Sequence, residues 1–389
     1  MLKLLENAQI YSPNPTGFKQ LLVADGRIAW IGDAPLSLPE HLNVEVVDCG
    51  GHRVIPGFID SHAHVTGGGG ESGFSSRVPA VELSRFTQSG VTTVVGLLGT
   101  DDTTRDTNAL LSQTRALREM GLNAYCYTGG YHVPPVTLTG SVRKDIVHCD
   151  PIIGVGELAI SDHRSSQPTL EEILRIASDA HVAGMITGKA GIVHFHMGDG
   201  DRGLDLIRQA LDTSEIPARV FNPTHVNRRK ALLVEACELA KRGCYVDITA
   251  FPVEDGEDAW SAKDALLRYL DSGAPADRVT ISSDGGGCLP HFDHEGRIIH
   301  MDIGSPDSLP HTLAELLASG QSLESALPAF TSNAADLLRL SHKGRLETGY
   351  DADLIILDEA NRPESVMING SWHRYRHKRI IKGNFETAD

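Results

Sequence analysis

The chain of 389 residues contains no Cys-x-x-Cys pair, and its cysteines, Cys49, Cys126, Cys149, Cys237, Cys244 and Cys288, are scattered. That spacing excludes a short disulfide framework. No apolar run approaches the roughly 20 residues that a membrane span requires. The start, MLKLLENAQIYSPN, carries Lys3 and Glu6 and lacks the apolar core of a signal peptide. A reducing, cytoplasmic setting is the resulting expectation. Positive charge is also scarce: 35 Lys and Arg face 51 Asp and Glu, for a formal charge of -16. This balance argues against nucleic acid or an anionic membrane as the main partner. No GxGxxG or P-loop stands at a strand-to-helix junction, so nothing favours a nucleotide-binding sheet.

The sequence does contain two kinds of periodicity. LLVADGRIAWIG alternates apolar and polar residues around Asp25-Gly26, a strong hairpin signal. From about Gly344 onward, ADLIILD, VMINGSWHRYR and KRIIKGNFE read as short strands, with turns at Asn369-Gly370 and Gly383-Asn384. Neither end has enough strands to bury a stable face alone. The expectation is one small β-sandwich built from residues 1–54 plus 344–389.

Residues 55–343 alternate apolar, β-branched runs with helical patterns. VIPGFID, VTTVVGLLG, LNAYCYT, PIIGVGELAI, AGIVHFH, ARVFNPTH, CYVDITAF and DRVTISSD are eight candidate strands in order. Between them lie amphipathic stretches such as ALLSQTRALREMG and ALLVEACELAKRG, each closing on a glycine suited to a helix C-terminus. Eight such strands alternating with helices predict an α/β fold of the (β/α)8, or TIM barrel, type. A doubly wound open sheet is the alternative that strand count leaves open.

Candidate chemistry sits at the strand ends. Asp60-Ser61-His62-Ala63-His64 follows VIPGFI, and residues two apart in an extended segment face one side. His62 and His64 can therefore address one ion, and imidazole suits Zn²⁺. His196 ends GIVHFH, His225 ends VFNPTH and Asp284 ends VTISSD. Enzymes on this fold place their catalytic groups at strand C-termini. A single loop histidine is commonly only polar surface, but a carboxylate ending an apolar strand needs a partner or a metal.

This constellation resembles the amidohydrolase superfamily and, within it, the isoaspartyl dipeptidases. The segments that carry the resemblance are PGFIDSHAHVTGGGGESG, GVTTVVGLLGTD, TGGYHVP with TGSV after it, AISDHRS, FHMGD, PTHVNR and ISSDG, spanning Pro56 to Gly285. The resemblance implies two divalent metal ions, with zinc as the expected metal. One would be held by His62, His64 and Asp284, the other by His196 and His225. Family members usually bridge the ions with a carboxylated lysine, whereas this chain reads Gly154-Val155-Gly156-Glu157-Leu158-Ala159 and has no lysine there. Glu157 aligns with the lysine. It can act as a bridge, as a group behind a single-metal site, or as a salt-bridged structural carboxylate. Its arm is shorter, and the extra residue Gly156 suggests a compensating bulge.

The resemblance also implies a β-aspartyl dipeptide as substrate, and its residues carry over one by one. Glu71 would engage the free α-amino group, with Gly69 and Thr100 nearby. Arg164 and Arg228 would hold carboxylates, which arginine grips bidentately. Tyr131 would donate to the developing oxyanion, with its neighbour His132 as an alternative. Cys288 stands where family members commonly have serine, and cysteine is the weaker donor. Asp284 would act as base and then acid on a water activated between the ions. A homo-oligomer, with an octamer as one form, is implied as well. The competing readings are another amidase of the superfamily, such as a dihydroorotase-like, hydantoinase-like or N-acyl amino acid deacylase enzyme, and a non-catalytic barrel scaffold.

Overall fold

The computed structural model describes residues 2–33, 35–39, 41–292 and 298–387. Eight parallel strands run through its centre: β1 (Phe58–Ala63), β2 (Val91–Gly96), β3 (Asn123–Thr128), β4 (Ile152–Ile160), β5 (Val193–Met197), β6 (Phe221–Thr224), β7 (Val246–Thr249) and β8 (Val279–Ser282). β1 to β6 form one ladder and β7 pairs with β8. Backbone hydrogen bonds close both gaps: Val226 N–H donates to Asp247 at 3.2 Å, and His64 N–H donates to Gly285 at 2.8 Å. Each strand is followed by a helix: α1 (Leu83–Gln88), α2 (Thr107–Glu119), α3 (Val142–His148), α4 (Leu170–Thr187), α5 (Asp205–Thr213), α6 (Lys230–Lys241), α7 (Ala262–Asp271) and α8 (Ser308–Ala318). The result is a barrel-like α/β domain whose apolar core lies between strands and helices, as in Phe58, Val94, Phe195, Phe221 and Ile281.

Local sequence explains the helix ends. Thr169 and Glu172 form a reciprocal capping box at the start of α4, and Gly188 ends that helix in the left-handed region. Gly121 and Gly243, the glycines expected to close α2 and α6, have φ of 96° and 101°.

Strands from the two chain ends pair in one sheet. Arg53–Pro56 pairs antiparallel with Leu354–Leu357, opposing Ile55 to Ile355. This joins the amino-terminal strands Leu2–Tyr11, Pro15–Ala24, Arg27–Gly32 and Val44–Asp48 to the carboxy-terminal strands Pro363–Ile368, Ser371–Tyr375 and Lys378–Arg379. The expected pair of sheets is hydrogen-bonded as a single nine-stranded network. That network bends back on itself: Trp372 Nε1 donates to Glu45 at 3.1 Å, and the Gly26 turn lies against the Gly370 turn. Leu5, Leu21, Val54, Leu354, Ile356 and Met367 fill the space enclosed.

Two further expectations need correction. VIPGFID is two strands of different sheets, broken at Gly57, whose Cα faces Thr92 so closely that a Cβ would sit 2.2 Å from it. KRIIKGNFE is strand only at Lys378–Arg379. The remainder lies on the barrel, where Glu386 accepts from the Ser84 N–H at 2.9 Å, so pairing with α1 replaces pairing in a sheet.

Candidate metal centre and substrate pocket

His62 and His64 at the end of β1 and the residues at the ends of β5, β6 and β8 gather around Glu157 of β4. His64 Nε2 lies 3.4 Å from Glu157 Oε1. On the other oxygen, Oε2, His196 Nδ1 lies at 3.1 Å, His225 Nε2 at 3.4 Å and His62 Nε2 at 3.7 Å. Asp284 Oδ1 is 3.4 Å from His62 Nε2 and 3.2 Å from His64 Nε2. Two ligand groups of metal-binding dimensions result, His62–His64–Asp284 and His62–Glu157–His225, with all ligand atoms of each within 4.8 Å of one another. His225 and Asp284 follow their strands in left-handed backbone, at φ of 58° and 52°. Non-glycine residues rarely adopt this region outside sites that demand it.

Glu157 reaches the centre through a bulge. Val193 opposes Val155 and Phe195 opposes Leu158, so β4 spends one residue more than β5 over this interval. Gly156 sits at the bulge with φ of 152°, against the His194 carbonyl. A bulge is therefore present at Gly156, where the sequence suggested one.

The ligand rings are held from behind. His62 Nδ1 lies 2.8 Å from His194 Nε2, and His194 Nδ1 lies 2.6 Å from Asn222 Oδ1. His225 Nδ1 lies 2.7 Å from the Thr249 hydroxyl. These contacts leave both Nε2 atoms for the centre, and His62 Nε2 and Asp284 Oδ1 are buried with no hydrogen-bond partner among the described residues. Orphaned buried atoms of this kind, on a nitrogen and carboxylate donor set, fit a divalent metal.

A cavity opens directly onto this cluster. Gly69, Glu71, Thr100, Tyr131, Arg164, Arg228 and Cys288 line it together with His64, Glu157, His196, His225 and Asp284. All substrate positions expected from the sequence are thus brought to one wall or another, while His62 lies buried beneath. Glu71 is delivered by a glycine turn that no other residue fits: a Cβ on Gly69 would meet the Ser76 carbonyl at 2.4 Å, at φ of 76°. Glu71 Oε2 and Thr100 Oγ1 are buried without hydrogen-bond partners among the described residues. Arg164 is clamped on Asp162, Nε to Oδ1 at 3.0 Å and Nη2 to Oδ2 at 2.8 Å, and points Nη1 to within 3.6 Å of Glu71. Arg228 Nη1 donates to the Met197 carbonyl at 3.1 Å. The Tyr131 hydroxyl lies 2.8 Å from His196 Nδ1.

Residues 53–373 match the amidohydrolase family model. The chain belongs to the amidohydrolase family. A β-aspartyl dipeptidase from Fervidobacterium islandicum AW-1, solved in complex with β-Asp-Leu, is 42% identical over 99% of both chains, with a TM-score of 0.94. An imidazolonepropionase from Streptomyces avermitilis is 25% identical over 94% of this chain and 89% of its own length. A dihydropyrimidinase from Brevibacillus agri, 15% identical with a TM-score of 0.66 over 98% of this chain and 97% of its own, shares the fold.

Electrostatics in this amidohydrolase follow from burial and neighbours. Burial alone would discharge His62, but Glu157 and Asp284 outweigh it and hold its pKa at about 9. Burial likewise opposes the charged forms of Glu157 and Asp284, yet the facing histidines hold both carboxyls well below the usual range. Burial pushes His225 down to about 3, so its Nε2 lone pair is free for a metal. Tyr131 is pushed well above its ordinary value by burial and stays a hydroxyl donor. Burial, with Glu71 and Asp284 adding to it, pushes the Cys288 thiol up to about 12. Cys288 therefore faces the cavity as a neutral thiol at pH 7. His132 does not line the cavity, and its Nδ1 lies 2.6 Å from Asp102 Oδ1, so it is no substitute for Tyr131.

Several further groups around the centre lie outside the residues expected from the sequence. His194 repeats, in His194-Phe195-His196, the same alternation that singled out His62 and His64, and this spacing could have found it. Asp162 lies inside the SDHR segment. Asp247 on β7 accepts from the hydroxyls of Thr224, Thr280 and Ser282 at 2.5–2.6 Å and from Ser61 at 3.3 Å beneath the centre. No spacing signal announces that last network, because its members come from four strands.

Proposed function

We propose that this amidohydrolase is a β-aspartyl (isoaspartyl) dipeptidase, hydrolysing the side-chain amide of an N-terminal β-linked aspartyl residue to release aspartate and an amino acid. One observation carries the reading: a single cavity joins the metal-type cluster to the carboxylate of Glu71, whose Oε2 has no hydrogen-bond partner among the described residues, and to two arginines, Arg164 and Arg228. A β-aspartyl dipeptide has one ammonium and two carboxylates, the complement of that set. The likeness to the Fervidobacterium islandicum enzyme supports it independently.

In this reading His62, His64 and Asp284 would hold one divalent ion and His196 and His225 a second, with Glu157 as the carboxylate shared between them and zinc as the metal. Bound there, the ions supply Lewis acidity toward water and the scissile carbonyl. The chain does the rest. Glu71, with Thr100 and the Gly69 backbone beside it, receives the α-ammonium, and Arg164 and Arg228 fix the carboxylates, so the amide carbonyl faces Tyr131. The Tyr131 hydroxyl donates to the oxygen that becomes anionic at the tetrahedral stage. Asp284, ionised at neutral pH, takes the proton of the attacking water and returns it to the leaving nitrogen. Cys288 lines the substrate wall as a weak donor.

The eight-stranded ring is read as a closed (β/α)8 barrel, with the domain boundary between Pro56 and Phe58 and again near residue 344, and the bent sheet as a β-sandwich. A homo-oligomer acting in the cytoplasm completes the reading, and light scattering measures its size. Among the described residues no helix is long and apolar enough to cross a membrane.

Turnover of β-Asp-Leu before and after chelation, and after zinc return, is the direct test. Dihydroorotate, a hydantoin and an N-acetyl amino acid serve as competing substrates. Preference for any of these over β-Asp-Leu overturns the assignment, and a chain inert toward all of them is the scaffold.

A further inference from the structure

Asp102 lies on the loop after β2, is 4% exposed, and grips the residues on both sides of Tyr131. On one side its Oδ1 lies 2.6 Å from His132 Nδ1 and its Oδ2 accepts the His132 backbone N–H at 3.1 Å. On the other, Gly130 packs flat against it: a Cβ at that position would come 2.5 Å from Asp102 Cβ and 2.7 Å from Oδ2. The Tyr131 carbonyl is fixed from the opposite direction by the Ala159 N–H at 3.1 Å, two residues after Glu157 on β4. Tyr131 is thus suspended between the Asp102 carboxylate and the strand that carries Glu157.

We propose that Asp102, acting through His132, is a positioning residue that holds the Tyr131 hydroxyl at the reacting carbonyl. The inference rests on the dipeptidase reading and on Tyr131 as the oxyanion donor. A staple that only closed the loop would need one acceptor for one backbone N–H, which a neutral side chain supplies. Asp102 instead buries a whole carboxylate, and a buried carboxylate is costly unless both oxygens are engaged. Both are engaged, and both by the residue that follows Tyr131. The imidazole of His132, half-exposed, serves as the lever arm. It gives the loop a second, directional bond, so the Tyr131 backbone cannot rotate about the single N–H contact. A donor displaced by about 1 Å forfeits up to about 100-fold in rate.

The test measures kcat and KM for β-Asp-Leu in Asp102→Ala, in His132→Ala, in Tyr131→Phe and in each pair with Tyr131→Phe, on zinc-loaded enzyme, with bound metal counted. His132 is half-exposed, so His132→Ala keeps the test available should Asp102→Ala misfold. Expected are a kcat about 10–100-fold lower in each single variant, KM within about 3-fold of the parent, and unchanged metal content. In the Tyr131→Phe background the same substitutions remove less than about 3-fold more, because the hydroxyl they position is already gone. A parental kcat in His132→Ala, or an equally large fall in the Tyr131→Phe background, overturns the proposal. Parental turnover by Tyr131→Phe alone removes Tyr131 from the mechanism, and the inference with it. The dipeptidase assignment would survive that result, since it stands on the substrate panel.

Discussion

Gly156→Ala tests the proposal that a glycine bulge lets the short arm of Glu157 serve where relatives use a longer one. The Cβ added there would lie 2.6 Å from the His194 carbonyl oxygen and 2.8 Å from His194 Cβ. Neither neighbour is the end of a flexible side chain. Both belong to β5, and His194 in turn orients His62 at 2.8 Å. Overpacking of this kind costs about 1–3 kcal/mol. Forcing alanine to φ of 152° adds backbone strain of about 1–3 kcal/mol. The sum, about 2–6 kcal/mol, is a large share of the roughly 5–15 kcal/mol that separates folded from unfolded states. The clash is relieved by moving β4 away from β5, which withdraws the Glu157 carboxylate from His196 and His225. The expected outcome is therefore a lower melting temperature together with fewer than two ions retained after dialysis, and β-Asp-Leu turnover lowered at least about 10-fold. Melting by circular dichroism and metal content by elemental analysis check both limbs. A variant with parental stability, two ions and parental turnover would refute the idea that the glycine bulge is what delivers Glu157.

Other outcomes follow from the same geometry. Glu157→Gln is expected to retain no more than one ion per chain and to lose at least about 10³-fold in kcat, since one neutral oxygen cannot replace the shared carboxylate; two retained ions would remove the bridge. Asp284→Asn is expected to abolish measurable turnover while circular dichroism and melting remain native-like, and an intact rate would end the proton-transfer role. Glu71→Gln removes one charge-assisted contact worth about 1.5–3 kcal/mol, so kcat/KM for β-Asp-Leu should fall about 10–150-fold, with loss concentrated in KM. His373 is pushed down to about 4 by burial, below the ordinary 6.5, so unfolded chains bind its proton first. Its contribution to stability is present above pH 6.5 and is lost as pH falls from 6.5 to 4, by up to about 3 kcal/mol. Urea titrations across that range should be flatter for His373→Gln than for the parent, and equal slopes would exclude His373 as a source.

What was legible in the sequence was whatever depends on neighbours along the chain. Alternation of period two made His62 and His64 point one way, and apolar runs ending in His196, His225 and Asp284 put candidate ligands at strand ends. Aligning the SDHR segment made Glu157 stand out against the absent lysine, and Gly156 hinted at the bulge that β4 and β5 form. Asp25-Gly26 and Asn369-Gly370 announced their turns because both positions of each need positive φ, and 50° and 76°, then 47° and 74°, are what they adopt.

Tertiary structure alone decided the rest, because it rests on pairings between residues far apart in sequence. No local pattern could say that VIPGFID is cut at Gly57, since the cut is imposed by Thr92 and by the pairing of Ile55 with Ile355. Nor could it say that the two ends share one bent sheet, or that Asp247 gathers hydroxyls from three other strands. The grip of Asp102 on His132 and the contact of Asp162 with His196 belong to the same class. Residue types and spacing specify which groups can do chemistry; the distances among them exist only once eight strands close on one another, and those distances decide which group orients which.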